Sequence, residues 1–256
     1  MKMVEINLCG KIALVTGATG QLGRVIVRTL AKAGADIAVH YGTNRNMAEQ
    51  LVKEIREMGQ RAIAVQADVT DVASVIEMKN EICSLLGNPN IVISGAVGYS
   101  KPWVTVLEQP IESYITLFKT CVLQSVNVAK AFLPAMMEAH CGRFIGINTE
   151  GAAETSAEGS AYSSAKRGMN GVFRVLAKEV AAYNITVNEV APGWTISDVT
   201  RQEGEDDAEY IAKIPMGRRG TDEEIANAVL FLASDLASYI TGVYLPVCGG
   251  TVIPGI

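Results

Sequence analysis

The sequence predicts an α/β fold, in which helices flank a doubly wound parallel sheet within a single domain. Its 256 residues suit one large domain, and the 49% that are hydrophobic can fill a core on both faces of a sheet. Short β-branched runs alternate with helical patterns from the N-terminal region onward. This order is typical of right-handed βαβ units. We therefore expect residues 1–256 to form one domain.

The first βα unit is built around a glycine-rich turn. An apolar strand is predicted over residues 11–16, and a helix over residues 22–33, closed by Gly34. Glycines let the main chain approach a pyrophosphate, and a helix N-terminus offers it free amides and a partial positive charge. The turn between the two predicts a dinucleotide site, with an ordinary tight turn as the alternative.

The end of the second strand indicates which dinucleotide is bound. Strands are predicted at residues 36–41 and 61–66, with a helix at 46–58 between them. A carboxylate at the end of the second strand would accept hydrogen bonds from the ribose and repel a 2′-phosphate. No carboxylate stands there, and the side chains are those of Tyr41, Thr43, Asn44 and Arg45. NADP(H) is favoured, NAD(H) is the alternative, and Arg45 equally fits a solvated helix start.

Tyr162 and Lys166 are the predicted centre of the chemistry. They lie four residues apart in a helical pattern and so share one helix face. An ammonium beside a phenol lowers the phenol's pKa and makes it a usable acid or base near neutral pH. The same spacing is common on solvated helices, so its weight comes from the rest of the chain.

Further motifs connect this pair to a known family. They are Asp68-Val69 after the third strand, Val187-Asn188 leading to Pro192-Gly193, Ser234-Asp235, and Tyr239-Ile240-Thr241-Gly242 leading to Gly249-Gly250. With the glycine turn and Tyr162, they make the chain resemble the short-chain dehydrogenase/reductase family over residues 11–250. The likeness is to its compact branch, similar to 3-oxoacyl-acyl-carrier-protein reductases. It implies a Rossmann-like sheet of about seven strands and an oxidoreductase that moves hydride between nicotinamide and a carbonyl or secondary alcohol.

The resemblance also implies a role for each matching residue. Tyr162 would be the general acid/base, and Lys166 would bind the nicotinamide ribose and lower the tyrosine pKa. Thr149 stands at the family's serine position and keeps the hydroxyl that holds the substrate oxygen. The implied cofactor-binding residues are Gly17, Thr19, Gly20, Gln21, Leu22, Gly23, Tyr41, Thr43, Asn44, Arg45, Asp68, Val69, Gly95, Ala96, Tyr162, Lys166, Pro192 and Gly193.

Three departures from the family pattern leave alternatives open. Gln21 replaces the middle glycine of the turn, and the spacing is that of the family's epimerase-like branch. Ser94-Gly95-Ala96-Val97 stands where Asn-Asn-Ala-Gly is usual, and Cys121 stands where an asparagine usually holds a relay water. One alternative is therefore a nucleotide-binding protein with weak or lost catalysis. An epimerase or dehydratase rests on the glycine spacing alone. Retention of Thr149, Tyr162 and Lys166 favours the enzyme, and Cys121 is expected to pack rather than react.

Substrate choice is assigned to three loops, at residues 99–105, 150–159 and 194–217. Tyr99 and Trp103 would wall the pocket or pack on a helix, while Glu150 would either recognise substrate or face water. The charged run at residues 201–207 would belong to a mobile lid or a solvated loop. His140 and Tyr183 stand where carrier-dependent reductases often have arginine, so a carrier-free substrate is a serious alternative.

Composition excludes several other classes of function. The net charge of -5 and a pI near 5.2 argue against nucleic acid or a membrane surface as partner. The five cysteines are scattered without CxxC spacing and the two histidines are isolated, so we expect neither a metal site nor a disulfide framework. With no long apolar run, the sequence predicts a cytoplasmic location. The Tyr162 helix also carries an apolar set that predicts a homotetramer or homodimer, with burial inside one subunit as the alternative: Ala161, Ala165, Gly168, Met169, Val172, Phe173 and Leu176.

Overall fold

A seven-stranded parallel sheet forms the centre of the molecule. The computed structural model describes residues 6–98, 103–154, 157–196 and 208–253. The strands lie in the order β3-β2-β1-β4-β5-β6-β9, with a separate two-stranded pair of β7 and β8. Their bounds are Ile12–Thr16 (β1), Asp36–Tyr41 (β2), Ala62–Gln66 (β3), Ile91–Ser94 (β4), Gly142–Ile147 (β5), Ile185–Pro192 (β6), Thr195–Ile196 (β7), Gly220–Thr221 (β8) and Tyr244–Val247 (β9). The predicted doubly wound parallel sheet is confirmed.

Helices cover both faces of this sheet. They are Gln21–Lys32 (α1), Arg45–Glu57 (α2), Val72–Leu85 (α3), Ile111–Leu117 (α4), Gln124–Ala139 (α5), Ser160–Val180 (α6), Ala208–Ala212 (α7) and Asp222–Ala233 (α8). Side chains of α1, α2 and α8 pack in one core, and those of α3, α5 and α6 in a second. Successive strand residues alternate between the two, as Leu14 and Val15 do. Both sheet faces are therefore buried, as a parallel sheet requires.

The strand order places a crevice between β1 and β4. From β1 the chain proceeds to β2 and β3 on one side, and from β4 to β5 and β6 on the other. In open α/β sheets, ligands bind beyond the carboxyl ends of the strands at this point of reversal. Thr16 ends β1 and Ser94 ends β4, so the segments that follow them border the crevice.

The sequence pattern predicts one long helix over residues 111–137, and this prediction is wrong in one respect. The structure interrupts it with a π-helix at Phe118–Leu123, between α4 and α5. A π-turn inserts one extra residue and leaves a carbonyl to be satisfied. The Cys121 carbonyl accepts hydrogen bonds from the Ser125 hydroxyl at 2.9 Å and the Gln124 amide at 3.4 Å. Apolar periodicity does not reveal such an insertion, because these bonds come from buried polar side chains.

Candidate active site

The glycine turn after β1 is held in a conformation that two glycines make possible. Gly17 has φ +70°, and a β-carbon there would lie 2.9 Å from the Ala96 Cα. A β-carbon on Gly23 would overlap the Gly17 carbonyl oxygen and lie 2.7 Å from the Ala18 Cα. Gly20 precedes α1, whose first amides have no acceptor within the helix. The turn thus combines a close main-chain approach with free donors for an anion.

His40 braces this turn from the neighbouring strand, a role that the sequence did not reveal. The Gly17 N–H donates to His40 Nδ1 at 3.0 Å, so the ring's Nε2 carries the proton and donates to the Ala67 carbonyl at 3.1 Å. Burial lowers the pKa of His40 and keeps the imidazole neutral. The ring therefore connects the ends of β1 and β3 to β2, and the hydrogen bond from the Gly17 N–H requires its neutral form.

Gln21 points away from the turn that it helps to form. Its side-chain amide donates to Asp222 Oδ1 at 3.0 Å and to the Thr195 hydroxyl at 3.3 Å. Thr195 also donates to Asp222 at 2.8 Å, and Asp222 is fully buried. The departure at Gln21 thus links α1 to β7 and α8.

Thr16 organises the ends of β1 and β4 in place of the missing asparagines. Its hydroxyl accepts hydrogen bonds from the N–H groups of Gly95 at 3.0 Å and Ala96 at 3.2 Å. It donates to the Ile93 carbonyl at 3.3 Å. A buried threonine at the last position of a strand was the available signal for this role.

The polar residues predicted to bind the adenosine end of the cofactor bond mainly to residues close to them in sequence. Tyr41 has its side chain in the apolar core, while Arg45 is exposed and pairs with Glu49 at 2.7 Å. Asn44 caps α2 by accepting from the Met47 N–H at 3.2 Å. Asp68 accepts from the Thr70 hydroxyl and N–H, and these bonds hold the pKa of Asp68 below its usual value.

Tyr162 and Lys166 share a face of α6, as their spacing predicts. The Lys166 Nζ lies 5.9 Å from the centre of the Tyr162 ring and donates to the Ile147 carbonyl at 2.6 Å. Lys166 is only 4% exposed, and burial lowers its pKa. The Trp103 ring lies 5.8 Å from the Tyr162 ring of α6, although Trp103 does not line the cavity described below.

Thr149 follows β5 and begins a short 3-10 helix at Glu150–Ala152. Its main-chain N–H donates to Asn148 Oδ1 at 2.9 Å, and its carbonyl accepts from the Tyr244 hydroxyl. The threonine main chain is therefore fixed on both sides. Thr149 lines the same cavity as Tyr162 and Lys166, and its hydroxyl accepts from the Gly151 N–H at 3.4 Å.

A cavity of about 500 Å³ joins the glycine turn to these side chains. Among the predicted site residues, its lining brings together Gly17, Gly20, Gln21, Leu22, Gly23, Gly95, Thr149, Tyr162, Lys166, Pro192 and Gly193. The others lie outside this cavity: Thr19, Tyr41, Thr43, Asn44, Arg45, Asp68, Val69 and Ala96. The lining joins the glycine turn to residues that carry a phenol, an amine and a hydroxyl.

The substrate loops are described in part. Tyr99, residues 155–156 and the charged run at 201–207 lie outside the described residues. Glu150 does not face water: it is half-buried, and its Oε1 accepts from the Tyr210 hydroxyl at 2.7 Å. Burial raises the pKa of Glu150 and, with the Glu150 hydrogen bond, raises the pKa of Tyr210 to about 12. Glu150 thus connects the loop after Thr149 to α7.

Cys121 is fully buried against Ala161 and Ala165 of α6, as expected for a packing residue. Burial raises the pKa of its thiol, which keeps it protonated and unreactive. Among residues 6–98, 103–154, 157–196 and 208–253, no group of three His, Cys, Asp or Glu side chains could hold a metal ion. Over the same ranges, no helix is both long and apolar enough to cross a membrane.

Known proteins share this arrangement over almost the whole chain. The family described as enoyl-(acyl carrier protein) reductase matches residues 17–252. The 3-oxoacyl-[acyl-carrier-protein] reductase FabG of Pseudomonas aeruginosa is 37% identical over 246 residues, covering 96% of this chain and 98% of that protein. FabG of Escherichia coli has the same identity and coverage. The crystal structure of a blue fluorescent protein from a metagenomic library, in complex with NADPH, has a TM-score of 0.88 and 32% identity, covering 96% of this chain and 100% of that one.

Proposed function

Because the chain belongs to the short-chain dehydrogenase/reductase family, we propose that it is an NADP(H)-dependent oxidoreductase acting on a carbonyl or a secondary alcohol. The observation that carries the proposal is the continuous cavity between the glycine turn and the Tyr162, Lys166 and Thr149 side chains. Relatives named as 3-oxoacyl reductases, and a neighbour solved with NADPH, support the reaction class and the cofactor.

The residues present fit a dinucleotide. Gly17 and Gly23 occupy positions that a β-carbon would fill, and the first amides of α1 have no helical acceptor. The Gln21 side chain is directed to Thr195 and Asp222, away from the turn. The departure at Gln21 is therefore compatible with cofactor binding, and the enzyme is favoured over a protein that has lost catalysis.

Each catalytic side chain has a distinct task in this proposal. The nicotinamide of NADP(H) supplies the hydride in reduction and accepts it in oxidation. The Tyr162 hydroxyl gives a proton to the carbonyl oxygen in reduction and takes one from the alcohol in oxidation. The Thr149 hydroxyl donates a hydrogen bond to the same oxygen and orients it toward Tyr162. The Lys166 ammonium stabilises the Tyr162 phenolate and offers donors to the nicotinamide ribose.

We propose a substrate that does not require an acidic carrier protein. His140 and Tyr183, at the ends of α5 and α6, lie with ring centres 5.5 Å apart. Such an aromatic pair lacks the two guanidinium groups that would attract an acidic carrier. The relatives' names make 3-oxoacyl groups the first candidates, offered on a small thioester rather than on a carrier.

Self-association through α4 and the π-helix is part of the proposal. The residues named from the α6 pattern are largely used within the chain, since Ala161, Ala165, Met169 and Phe173 are buried there. Beside them, Ile115, Phe118 and Leu123 remain 41–49% exposed and line one apolar groove with Ala165. A homodimer or homotetramer would cover this groove. The five unpaired cysteines support the proposed cytoplasmic location.

Two measurements, made one after the other, test the proposed function. Thermal unfolding with NADPH and with NADH at matched concentrations reports which nucleotide binds the native state. NADPH oxidation is then followed with small ketones, 3-oxoacyl thioesters of coenzyme A and the same acyl groups on a carrier protein. We expect larger stabilisation by NADPH, with turnover of at least one carrier-free carbonyl. Absence of stabilisation by either nucleotide would refute the cofactor assignment, and turnover only on the carrier would refute the carrier-free substrate.

A further inference from the structure

Glu189 is a buried carboxylate that the proposed reaction does not yet use. It lies within β6, is 1% exposed and does not line the cavity. Its Oε1 accepts from the Asn148 amide and its Oε2 from the Asn170 amide, both at 2.5 Å. Removing a carboxylate from water is costly, so a buried one is expected to have paired oxygens. Burial raises the pKa of Glu189 to about 7, and the two amides oppose that rise.

Asn148 connects this carboxylate to the catalytic residues in one fixed orientation. Its Oδ1 accepts from the Thr149 N–H at 2.9 Å, so its NH₂ group must face the other way. That group donates to Glu189 and to the Lys166 carbonyl at 3.1 Å. Rotating the amide would set donor against donor at Thr149 and acceptor against acceptor at Lys166. Asn148 therefore ties Thr149, Lys166 and Glu189 into one unit.

Asn170 has no such constraint and can serve either protonation state of Glu189. Its hydrogen bond in the described structure is the one to Glu189 Oε2. When Glu189 takes up a proton, the new O–H needs an acceptor, and a rotated Asn170 amide offers its oxygen. The cluster thus has two hydrogen-bonded states with the same packing, which differ by one proton and one negative charge.

The charged and titratable groups around Glu189 come from two elements. From α6, Lys166 acts on Glu189 electrostatically, without an ion pair. From β9, Tyr244 has its pKa raised to about 12, chiefly by burial and next by the charge of Glu189. The β5 neighbours are Gly146, opposite Glu189 in the register, and Asn148, and neither is charged. For Lys166, the Glu189 carboxylate favours the ammonium against the larger effect of burial, while the protonated Cys121 thiol carries no charge.

We propose that Glu189 is a positioning residue for the reaction: its carboxylate, held by Asn148 and Asn170, keeps Lys166 an ammonium beside Tyr162 and loses this effect when it is protonated. The inference rests on the proposed roles of Tyr162 and Lys166. Glu189 itself touches neither substrate nor cofactor. From outside the cavity, its charge influences the protonation of Lys166 and, through Lys166, that of Tyr162.

The first test compares the wild type with Glu189→Gln. Glutamine has nearly the same shape, accepts from Asn148 and donates to a rotated Asn170, so the variant mimics the protonated carboxyl. The kcat for carbonyl reduction is measured for both proteins from pH 5.5 to 8.5. At each pH, the wild-type kcat is divided by that of Glu189→Gln. The ratio cancels those effects of pH that the substitution leaves unchanged. We expect the wild type to be faster by roughly tenfold at pH 8, with the ratio falling toward one below pH 6.

Two further variants distinguish charge from packing. Asn170→Ala removes one hydrogen-bond donor to the carboxylate, which raises the pKa of Glu189. As the pH is lowered, the kcat of this variant should therefore begin to fall at a higher pH than that of the wild type. Glu179→Gln is the matched control, because it removes an exposed carboxylate from α6, the helix that carries Lys166 and Asn170. The ratio of the wild-type kcat to the kcat of this variant should be one at every pH. A purely structural role predicts that Glu189→Gln lowers kcat by the same factor at every pH. That result, or a ratio of one throughout, would overturn the inference.

A measurement without substrate keeps this inference separate from the proposed function. Carbon-13 NMR of the cofactor-free protein, with labelled Glu carboxyl and Lys Cε carbons, follows both titrations directly. We expect Glu189 to titrate near neutral pH and the pKa of Lys166 to fall in Glu189→Gln. A Glu189 titration in the ordinary range near 4, or an unchanged Lys166 titration, would overturn the inference. If the wild type turned over no carbonyl compound, the proposed function would fail while these titrations still decided the electrostatic link.

Discussion

The two halves of the active site are built in opposite ways. Around β1 and α1, the main chain makes the site: two glycines allow a close approach, and helix amides supply the donors. Around β5, α6 and β6, side chains make it: Lys166, Asn148 and Glu189 are all buried and joined by hydrogen bonds or charge. The first half should therefore control cofactor affinity, and the second half the rate of the chemical step.

The largest expected effect comes from Tyr162→Phe in the side-chain half. Loss of the general acid/base should lower kcat by about 10³-fold, because proton transfer of this kind contributes 10²–10⁴-fold. NADPH affinity, measured by nucleotide fluorescence, should change by less than about threefold, which is well under 1 kcal/mol. Tyr239→Phe, at a fully exposed phenol, is the control and should behave as the wild type. Full activity of the Tyr162 variant would refute the mechanism.

Gly23→Ala should give the complementary result in the main-chain half. The added methyl group would overlap the Gly17 carbonyl and crowd Ala18, so the turn must move. We expect the NADPH dissociation constant to rise by about 10²-fold, or nearly 3 kcal/mol, while kcat at saturation is largely kept. Gly171→Ala is the matched control, since it is also a helical glycine but has no atom within 4 Å of the added carbon. Equal NADPH affinities of the two variants would contradict the close-approach explanation.

A smaller effect, dependent on pH, is expected from His40. Only its neutral ring accepts the Gly17 N–H, and burial places its folded pKa below the unfolded value near 6.5. The associated stability is therefore complete above about pH 6.5 and is lost as the pH falls from there through the folded pKa. His40→Gln should lower stability by roughly 1–2 kcal/mol at pH 8.

The pH dependence separates this loss from a general packing defect. Between pH 6.5 and 5, the stability difference between wild type and His40→Gln should shrink, as followed by denaturant unfolding. His140→Gln, at the exposed second histidine, should retain the acid sensitivity of the wild type. A difference that stays constant with pH would show that His40 acts through packing alone.

The smallest effect is expected at Arg45, where a side chain would assist the main-chain half. Its side chain is 73% exposed and shared with Glu49, so a phosphate contact there is well screened. Arg45→Ala should weaken NADPH binding by roughly threefold, under 1 kcal/mol, and leave NADH binding unchanged. Arg56→Ala, at the other end of α2, is the control. Equal losses for NADPH and NADH would show that Arg45 does not read the 2′-phosphate.

The sequence predicts those parts of the site that are local along the chain. The glycine turn joins a strand to a helix within a few residues, and Tyr162 and Lys166 lie one helical turn apart, so spacing alone indicates their geometry. By contrast, Gln21 meets Asp222, and Asn148 meets Glu189, across large separations in sequence. Such pairs form only when the folded sheet brings distant segments of the chain together. No periodicity of one segment contains that information.

The π-helix shows a second limit of the same kind. Its extra residue is stabilised by Ser125 and Gln124, which also bond to each other. These residues are compatible with a regular helix in isolation. Their burial against Ser94 of β4 makes the irregular turn favourable, and that contact exists only in the folded sheet.

The link from Gln21 to Thr195 and Asp222 has a consequence for how nucleotide and substrate affect each other's binding. At one end of this link, Gln21 begins α1, the helix that follows the glycine turn. At the other end, Thr195 lies in β7, directly after the Pro192-Gly193 turn and Trp194. A nucleotide that restrains α1 therefore also restrains the segment that leads into the substrate loop. Linked equilibria are reciprocal, so substrate affinity rises on the nucleotide complex by the same factor as nucleotide affinity on the substrate complex. Binding measurements would then show each ligand raising the affinity of the protein for the other.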